Sequence, residues 1–384
     1  MRNFTFWFII FVFAIGAMAI VVYEHYRYSP KALSVDLSVV KEYLKLKHVD
    51  LYEVTSHKIV DEAQLRFSGR LSKFEFAIKM GAVLKLLRDG VTRIEVPIRK
   101  TDGKLPFRCK LIGNDVVVTC SECEIPVGSK ILSFNGQPVD SVVEKYRWLF
   151  PNLGESQARY AFVDKFFHVL PTVIGARMVQ VTYLPPNSNV QRLAYLKATT
   201  KEVREPHPVE LVESTQTIVK VRRFKISTKE EFKEIDELFQ SVAKSSTEAS
   251  SIIFDLRFAE DGGEVLVTRI ISHLIEQPTN LYPTLLSRYN NQIVSMEQIP
   301  IEPSEKIKGK VSFIFDSTCF YTPHKIIAAF LMTQRVAEIA GEIPFRECYF
   351  YTGEFWKVLP NTKVFLVLPT QKVLFNKVVS SNER

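Results

Sequence analysis

Two segments in the last third of the chain limit its fold more than any other feature. They are Ser251-Ile-Ile-Phe-Asp-Leu-Arg-Phe-Ala-Glu-Asp-Gly-Gly263 and Val311-Ser-Phe-Ile-Phe-Asp-Ser-Thr-Cys-Phe-Tyr-Thr-Pro-His-Lys325. Each opens as a short apolar run that suits a buried strand, then turns and gives way to helical periodicity. A strand that ends in glycines before a helix is a place where backbone N–H groups point outward and can hold an anion. Around these segments the spacing predicts a strand over 217–224, then a helix with apolar positions Phe232, Ile235, Leu238, Phe239 and Val242, opened by the capping box Thr228-Lys-Glu-Glu231. Strands at 252–256, 311–315, 336–340 and 363–369 alternate with helices at 265–275 and 326–333. That alternation calls for a mostly parallel sheet covered by helices.

The rest of the chain divides by pattern. Residues 24–104 read as helical, with Val39, Val40, Tyr43, Leu44 and Leu46 on a first helix and Phe74, Phe76, Ala77 and Met80 on another. Residues 105–200 form a β-rich module that opens with a hairpin from Pro106 to Cys120 around an Asn114-Asp115 turn. Within it, Tyr146 to Val173 is aromatic-rich and helical. Lys201 to Pro208, charged and carrying two prolines, is a linker into the core of residues 201–384.

At the N-terminus, Phe4 to Tyr23 is a charge-free run of about twenty residues, long enough to span a bilayer. Ala17-Met18-Ala19 offers a signal-peptidase site, but the apolar run continues past it through Tyr23, which favours an uncleaved anchor. Residues 1–23 are therefore a transmembrane anchor or signal segment, with the bulk of the chain exported to the periplasmic or extracellular side. The net charge of +8 is spread along the chain rather than gathered into a stripe interleaved with stacking aromatics. It suits an anionic membrane surface and not nucleic acid. Cys120-Ser-Glu-Cys123 has no second pair at zinc spacing, so no metal or other cofactor is expected. With an Asn114-Asp115 turn, Cys109 and Cys120 fall opposite each other and could form a cross-strand disulfide.

The order Asp-Leu-Arg…Gly-Gly, strand, turn, helix, strand, Gly341-Glu342 resembles the core of the tail-specific (C-terminal-processing) serine peptidase family, which is related to the tricorn core. Lys47-His-Val-Asp-Leu-Tyr52 is similar to an Asn-His-Pro-x-Leu-Tyr stretch of its bacterial members, and Leu86-Leu-Arg-Asp-Gly-Val-Thr92 to its Asp-Gly-His-Thr stretch. Ile125-Pro-Val-Gly-Ser-Lys-Ile-Leu-Ser-Phe-Asn-Gly-Gln-Pro-Val139 resembles a PDZ-like module, with Gly128, Ile131, Asn135 and Gly136 in its signature positions. The resemblance covers nearly all of residues 34 to 375. It implies an α/β, or multi-module α+β, architecture: a tail-specific-protease-like core, an embedded PDZ-like β module and an N-terminal helical region.

The resemblance also implies where chemistry would sit, and there the sequence departs from the pattern. Counting back without a gap from Gly341-Glu342 puts the nucleophilic serine column at Thr322. The histidine column is Val91, which cannot move a proton, and the lysine column of the other branch falls at Glu347. The residue after the nucleophile should give a backbone N–H to the oxyanion, but Pro323 has none. The second donor should come from the glycine turn, here lengthened and ending in Gly262 and Gly263. Thr322-Pro323 also fits an ordinary helix start, with Thr at the N-cap and Pro at the first helical position. Substitutes outside the pattern are His48, which also fits a helix-end turn, and a pairing of Cys319 or Cys348 with His324.

Losing one oxyanion donor costs about a hundred- to a thousandfold in turnover, and losing the base costs roughly another hundred- to ten-thousandfold. The sequence therefore points to a membrane-anchored, exported pseudo-peptidase that binds polypeptide or protein C-termini or a partner protein. The alternative is an active, divergent serine/threonine-type endopeptidase that uses Thr322 for proteolysis.

Overall fold

The computed structural model describes residues 27–51, 67–87, 89–149, 155–204, 206–213, 216–290, 292–345 and 347–375. The expected membrane segment, Phe4–Tyr23, lies outside them. Among the described residues no helix is long and apolar enough to cross a membrane.

In chain order, α1 (Pro30–Lys47) and α2 (Lys73–Leu84) lead into the short strand β1 (Arg93–Glu95). The module that follows comprises β2 (Phe107–Ile112), β3 (Asp115–Ser121), β4 (Lys130–Phe134), β5 (Gln137–Pro138), α3 (Val139–Tyr146), α4 (Glu155–Lys165), α5 (Leu170–Ile174), β6 (Met178–Leu184) and β7 (Arg192–Lys197). Then come β8 (Val209–Glu213), β9 (Thr217–Val221), α6 (Lys229–Ser245), β10 (Ser251–Asp255), α7 (Glu264–Ser272), β11 (Thr284–Tyr289) and β12 (Gln292–Ser295). The chain closes with β13 (Lys310–Phe315), α8 (Thr322–Gln334), β14 (Glu338–Gly341), β15 (Tyr349–Val358) and β16 (Phe365–Leu374).

Three sheets result. The core sheet runs β14-β13-β10-β9-β8, parallel except at the β8–β9 hairpin, as the strand–helix alternation requires. Its helices bury Ile235 and Phe239 (α6), Leu266 and Ile270 (α7), and Ile326 and Phe330 (α8) in one cluster with Phe254 and Phe313. At the start of α6, Thr228 accepts from the Glu231 N–H, but the Glu231 carboxylate turns to Arg223 and Ser227, so only half of the expected capping box forms.

The second sheet, β2-β3-β4-β6-β7 with β5 on β4, is wholly antiparallel. Asn135 (φ 48°) and Gly136 (φ 73°) form its β4–β5 turn, and only a residue tolerant of left-handed backbone suits such a position. The first hairpin differs from expectation: its turn is Gly113-Asn114, with Ile112 opposite Asp115, one residue earlier than Asn114-Asp115. That shift pairs Cys109 with Val118, and a bulge then pairs Arg108 with Cys120, so the two cysteines are not opposite each other and both are free.

The third sheet, β1-β16-β11-β12 with β15 on the other side of β16, was only partly foreseen: β1, β11, β12 and β15 appear as strands where none was expected. Its central strand β16 sends Leu366 and Leu368 into a core shared with α1, α2 and the PDZ-like module, and Val373 into the core of the parallel sheet.

Candidate functional site

Where the three sheets meet, a cleft of about 730 Å³ opens. Val91, Gly262, Gly263, Thr322 and Pro323 all line it, although they come from three distant stretches of sequence. Glu347 does not; it is exposed nearby, and its charge acts on Lys325.

Thr322 is the first residue of α8 and is half-buried. The N-cap is Tyr321, and no side chain caps the helix, so Thr322 is not the cap that Thr-Pro suggested. Pro323 occupies the second helical position, where the missing N–H is equally harmless to the helix. It still removes the N–H next to Thr322. Among the described residues, no hydrogen bond reaches the Thr322 hydroxyl.

The β10–α7 turn engages four of its amides. The N–H of Phe258, itself left-handed (φ 61°), donates to Thr318 Oγ1 at 2.9 Å. Ala259 N–H donates to the Leu256 carbonyl, Glu260 N–H to the Arg222 carbonyl, and Gly262 N–H to Asp261 Oδ1. Gly262 is glycine for want of room, since a Cβ there would overlap the backbone of Phe224 and Lys225. Gly263 is the N-cap of α7.

Asp89, within the Leu86–Thr92 stretch, explains how Val91 is held. It accepts from the N–H groups of Val91 and Thr92, from the Thr92 hydroxyl, and from His48 Nε2 at 2.9 Å. His48 is the C-cap of α1 and is fully buried; its Nδ1 accepts from the Asp50 N–H, so Nε2 carries the proton. Both nitrogens are engaged and the ring does not line the cleft, so His48 fixes a turn rather than serving as a base. His324 is likewise buried, with Nε2 on the Leu256 carbonyl at 3.2 Å; burial pushes it down to about 4. Cys319 shares that carbonyl at 3.4 Å, and burial pushes its thiol up, so the pair anchors a strand end and is no nucleophile.

The cleft wall contains groups that the sequence did not single out. Lys165 pairs with Asp261 at 2.7 Å, and its ammonium lies 4.6 Å from the Tyr321 ring. Burial would raise the Asp261 carboxyl, but Lys165, with the Gly262 N–H and Arg93, more than offsets this and holds it low. Tyr321 donates to Asp164 Oδ2 at 2.9 Å, and Arg93 bridges Glu95 and Glu354 at 3.0 and 2.8 Å beside Trp356. His168 also lines the cleft; burial, with Arg108 and Lys104 nearby, pushes it down to about 3, so the ring is neutral. Local sequence carries no signal for this grouping, because residues 164–168 and 321–322 meet only through the topology.

Gly128, Ile131, Asn135 and Gly136 lie elsewhere, in the six-stranded sheet. Ile131 is buried, and its strand β4 is flanked by β6 on one side and by β3 and then β5 on the other. These residues shape the module, and the strands at the ends of its sheet are β2 and β7.

No family model and no curated protein sequence matches the chain. Solved structures do. Mature CPAF complexed with lactacystin superposes with a TM-score of 0.61 at 12% identity, over 89% of this chain and 90% of that one. Mature CPAF alone gives 0.58 at 11% identity, over 89% and 88%. The fold is tail-specific-protease-like. The photosystem II D1 C-terminal processing protease is also similar, with a TM-score of 0.46 at 13% identity over 89% of each chain.

Proposed function

We propose that the protein is a membrane-anchored, exported pseudo-peptidase that holds polypeptide ends or a partner protein in the cleft and on its PDZ-like module. One observation carries this: Val91 and Pro323 face the same cleft as Thr322, so apolar groups stand in the columns of the base and of the oxyanion donor. The amides of Phe258, Ala259, Glu260 and Gly262 already have acceptors, and the cleft's charges are largely paired with one another. A folded cleft without its proton-transfer groups keeps the means to bind and loses the means to cut. Phe4–Tyr23 supports the anchor by its length alone.

A second reading, an active threonine-type endopeptidase, is favoured by the uncapped Thr322 hydroxyl and by the neutral His168 in the same cleft. A base whose folded value is about 3 is poorly matched to neutral pH, which leaves the binding role ahead.

The test is a peptidase assay on the full chain in detergent, with unfolded protein and free-C-terminal peptides as substrates, beside Thr322→Ala and His168→Gln. No cleavage by any of the three, with peptide binding by all, supports the pseudo-peptidase. Cleavage lost in Thr322→Ala would establish the second reading.

A further inference from the structure

Apart from the two-residue strand β5, the six-stranded sheet ends in two edge strands, β2 and β7. The surroundings of β2 are filled from within the chain. Helix α4 packs along it, Phe107, Cys109 and Leu111 are buried, and Lys110 reaches the Phe258 carbonyl and the carboxylates of Asp164 and Glu260. The other edge is open. Among the described residues β7 pairs only with β6, and no backbone hydrogen bond leaves its far side.

Two of the usual protections of an edge, a proline and a bulge, are missing from it. β7 contains no proline, and its pairing with β6 runs without a bulge. Leu193 and Tyr195 are 49% and 65% exposed, and they share their face with Met178 at 53%. An edge strand of this kind is a template for pairing. The β6–β7 hairpin itself carries charge of one sign: no carboxylate occurs in sequence between Asp164 and Glu202, while Arg177, Arg192 and Lys197 are all exposed.

We propose that the free edge of β7 is a strand-addition site for an extended, acidic polypeptide segment. Main-chain hydrogen bonds to the edge would supply affinity, Leu193 and Tyr195 would contact alternate apolar side chains, and the three cations would select acidic ones. A lipid surface suits the edge less well, because hydrocarbon leaves its N–H and C=O groups unsatisfied. A second copy suits it less well too, since pairing would bring one basic edge against another. The site deepens the binding role proposed above by naming a place and a partner chemistry, but it does not require a free chain end.

The probe is a fluorescein-labelled peptide of alternating glutamate and valine, C-terminally amidated, titrated onto the full chain in detergent. Binding should weaken tenfold or more in the double variant Leu193→Glu, Tyr195→Glu, weaken with added salt, and vanish when alternate peptide amides are N-methylated. Both residues are exposed, so the variant should keep the circular dichroism of the parent, and the N-methylated probe leaves the protein untouched. Equal binding of the N-methylated probe, or of the plain probe by the double variant, would overturn the proposal. So would a chain that ignores the peptide but binds phosphatidylserine vesicles through this face, or a dimer that the double variant dissolves. Because the amidated probe has no free end, capture of C-termini in the cleft can fail or succeed independently of this result.

Discussion

Asp89 is the clearest case of one side chain deciding the shape of the cleft. Four donors converge on its buried carboxylate, from His48, from Val91 and from the amide and hydroxyl of Thr92. Asp89→Ala would leave those buried donors without their acceptor and should cost about 3 kcal/mol, measured as a lower urea midpoint. The same group sets an acid limit. Burial alone would raise the carboxyl, but the hydrogen bonds from His48 and Thr92 more than offset it and hold it below its ordinary 3.8. A depressed folded-state value contributes stability that is complete above 3.8 and lost as pH falls through the folded value. Asp89→Asn, which does not titrate, should therefore show a shallower loss of stability in acid than the parent. Parallel acid limbs in the two proteins would show that Asp89 is not the group responsible.

At the scale of elements, the β10–α7 connection turns on how closely two backbones approach. A methyl group on Gly262 would strike Phe224 and Lys225, whereas Gly263 has open space around its Cβ and an ordinary φ of −85°. Gly262→Ala should lower stability by about 3 kcal/mol. Gly263→Ala should cost less than about 1 kcal/mol. Equal melting temperatures for the two variants would refute the close approach. This contrast also marks how far the sequence could be read. Gly-Gly announced a strand–turn–helix, and the core strands and helices follow from period alone. Which glycine meets a neighbouring backbone depends on where Phe224 lies, almost forty residues earlier. The Cys109–Cys120 pairing failed for a related reason: Gly113 took the turn, one residue earlier than expected, and moved the partner of Cys109 by two, to Val118. β11, β12 and β15 lack a clear alternation, with Tyr351 and Thr352 both buried beside Phe350 in β15, and β11 in addition finds its partner β16 far along the chain. In the cleft, the convergence of Val91, Thr322 and Gly262 came from the family pattern rather than from any local period. Asp164, Lys165 and His168 carried no such marker.

In the whole molecule, the PDZ-like module is packed into the peptidase-like core rather than appended to it. Phe162 and Phe167 share one buried cluster with Phe320 and Tyr321, and α8, which follows, buries Ile326 in the other cluster. Tyr160 meets Phe320 edge-on at 5.5 Å, and Tyr321 donates to Asp164. Removing the module would therefore strip apolar cover from the very turn that presents Thr322. The chain ends left by such a deletion are already adjacent: Lys104 and Thr199 exchange two backbone hydrogen bonds, at 2.7 and 2.9 Å. Replacing residues 105–198 by two glycines thus introduces little closure strain, and any loss of stability reports the shared core. The expected outcome is loss of a cooperative thermal transition, with dye-binding apolar surface exposed around Phe320. If the shortened protein melts cooperatively within a few degrees of the parent, the two parts are energetically separate. The module would then be a passenger, and the cleft would have to hold its shape by the parallel sheet alone.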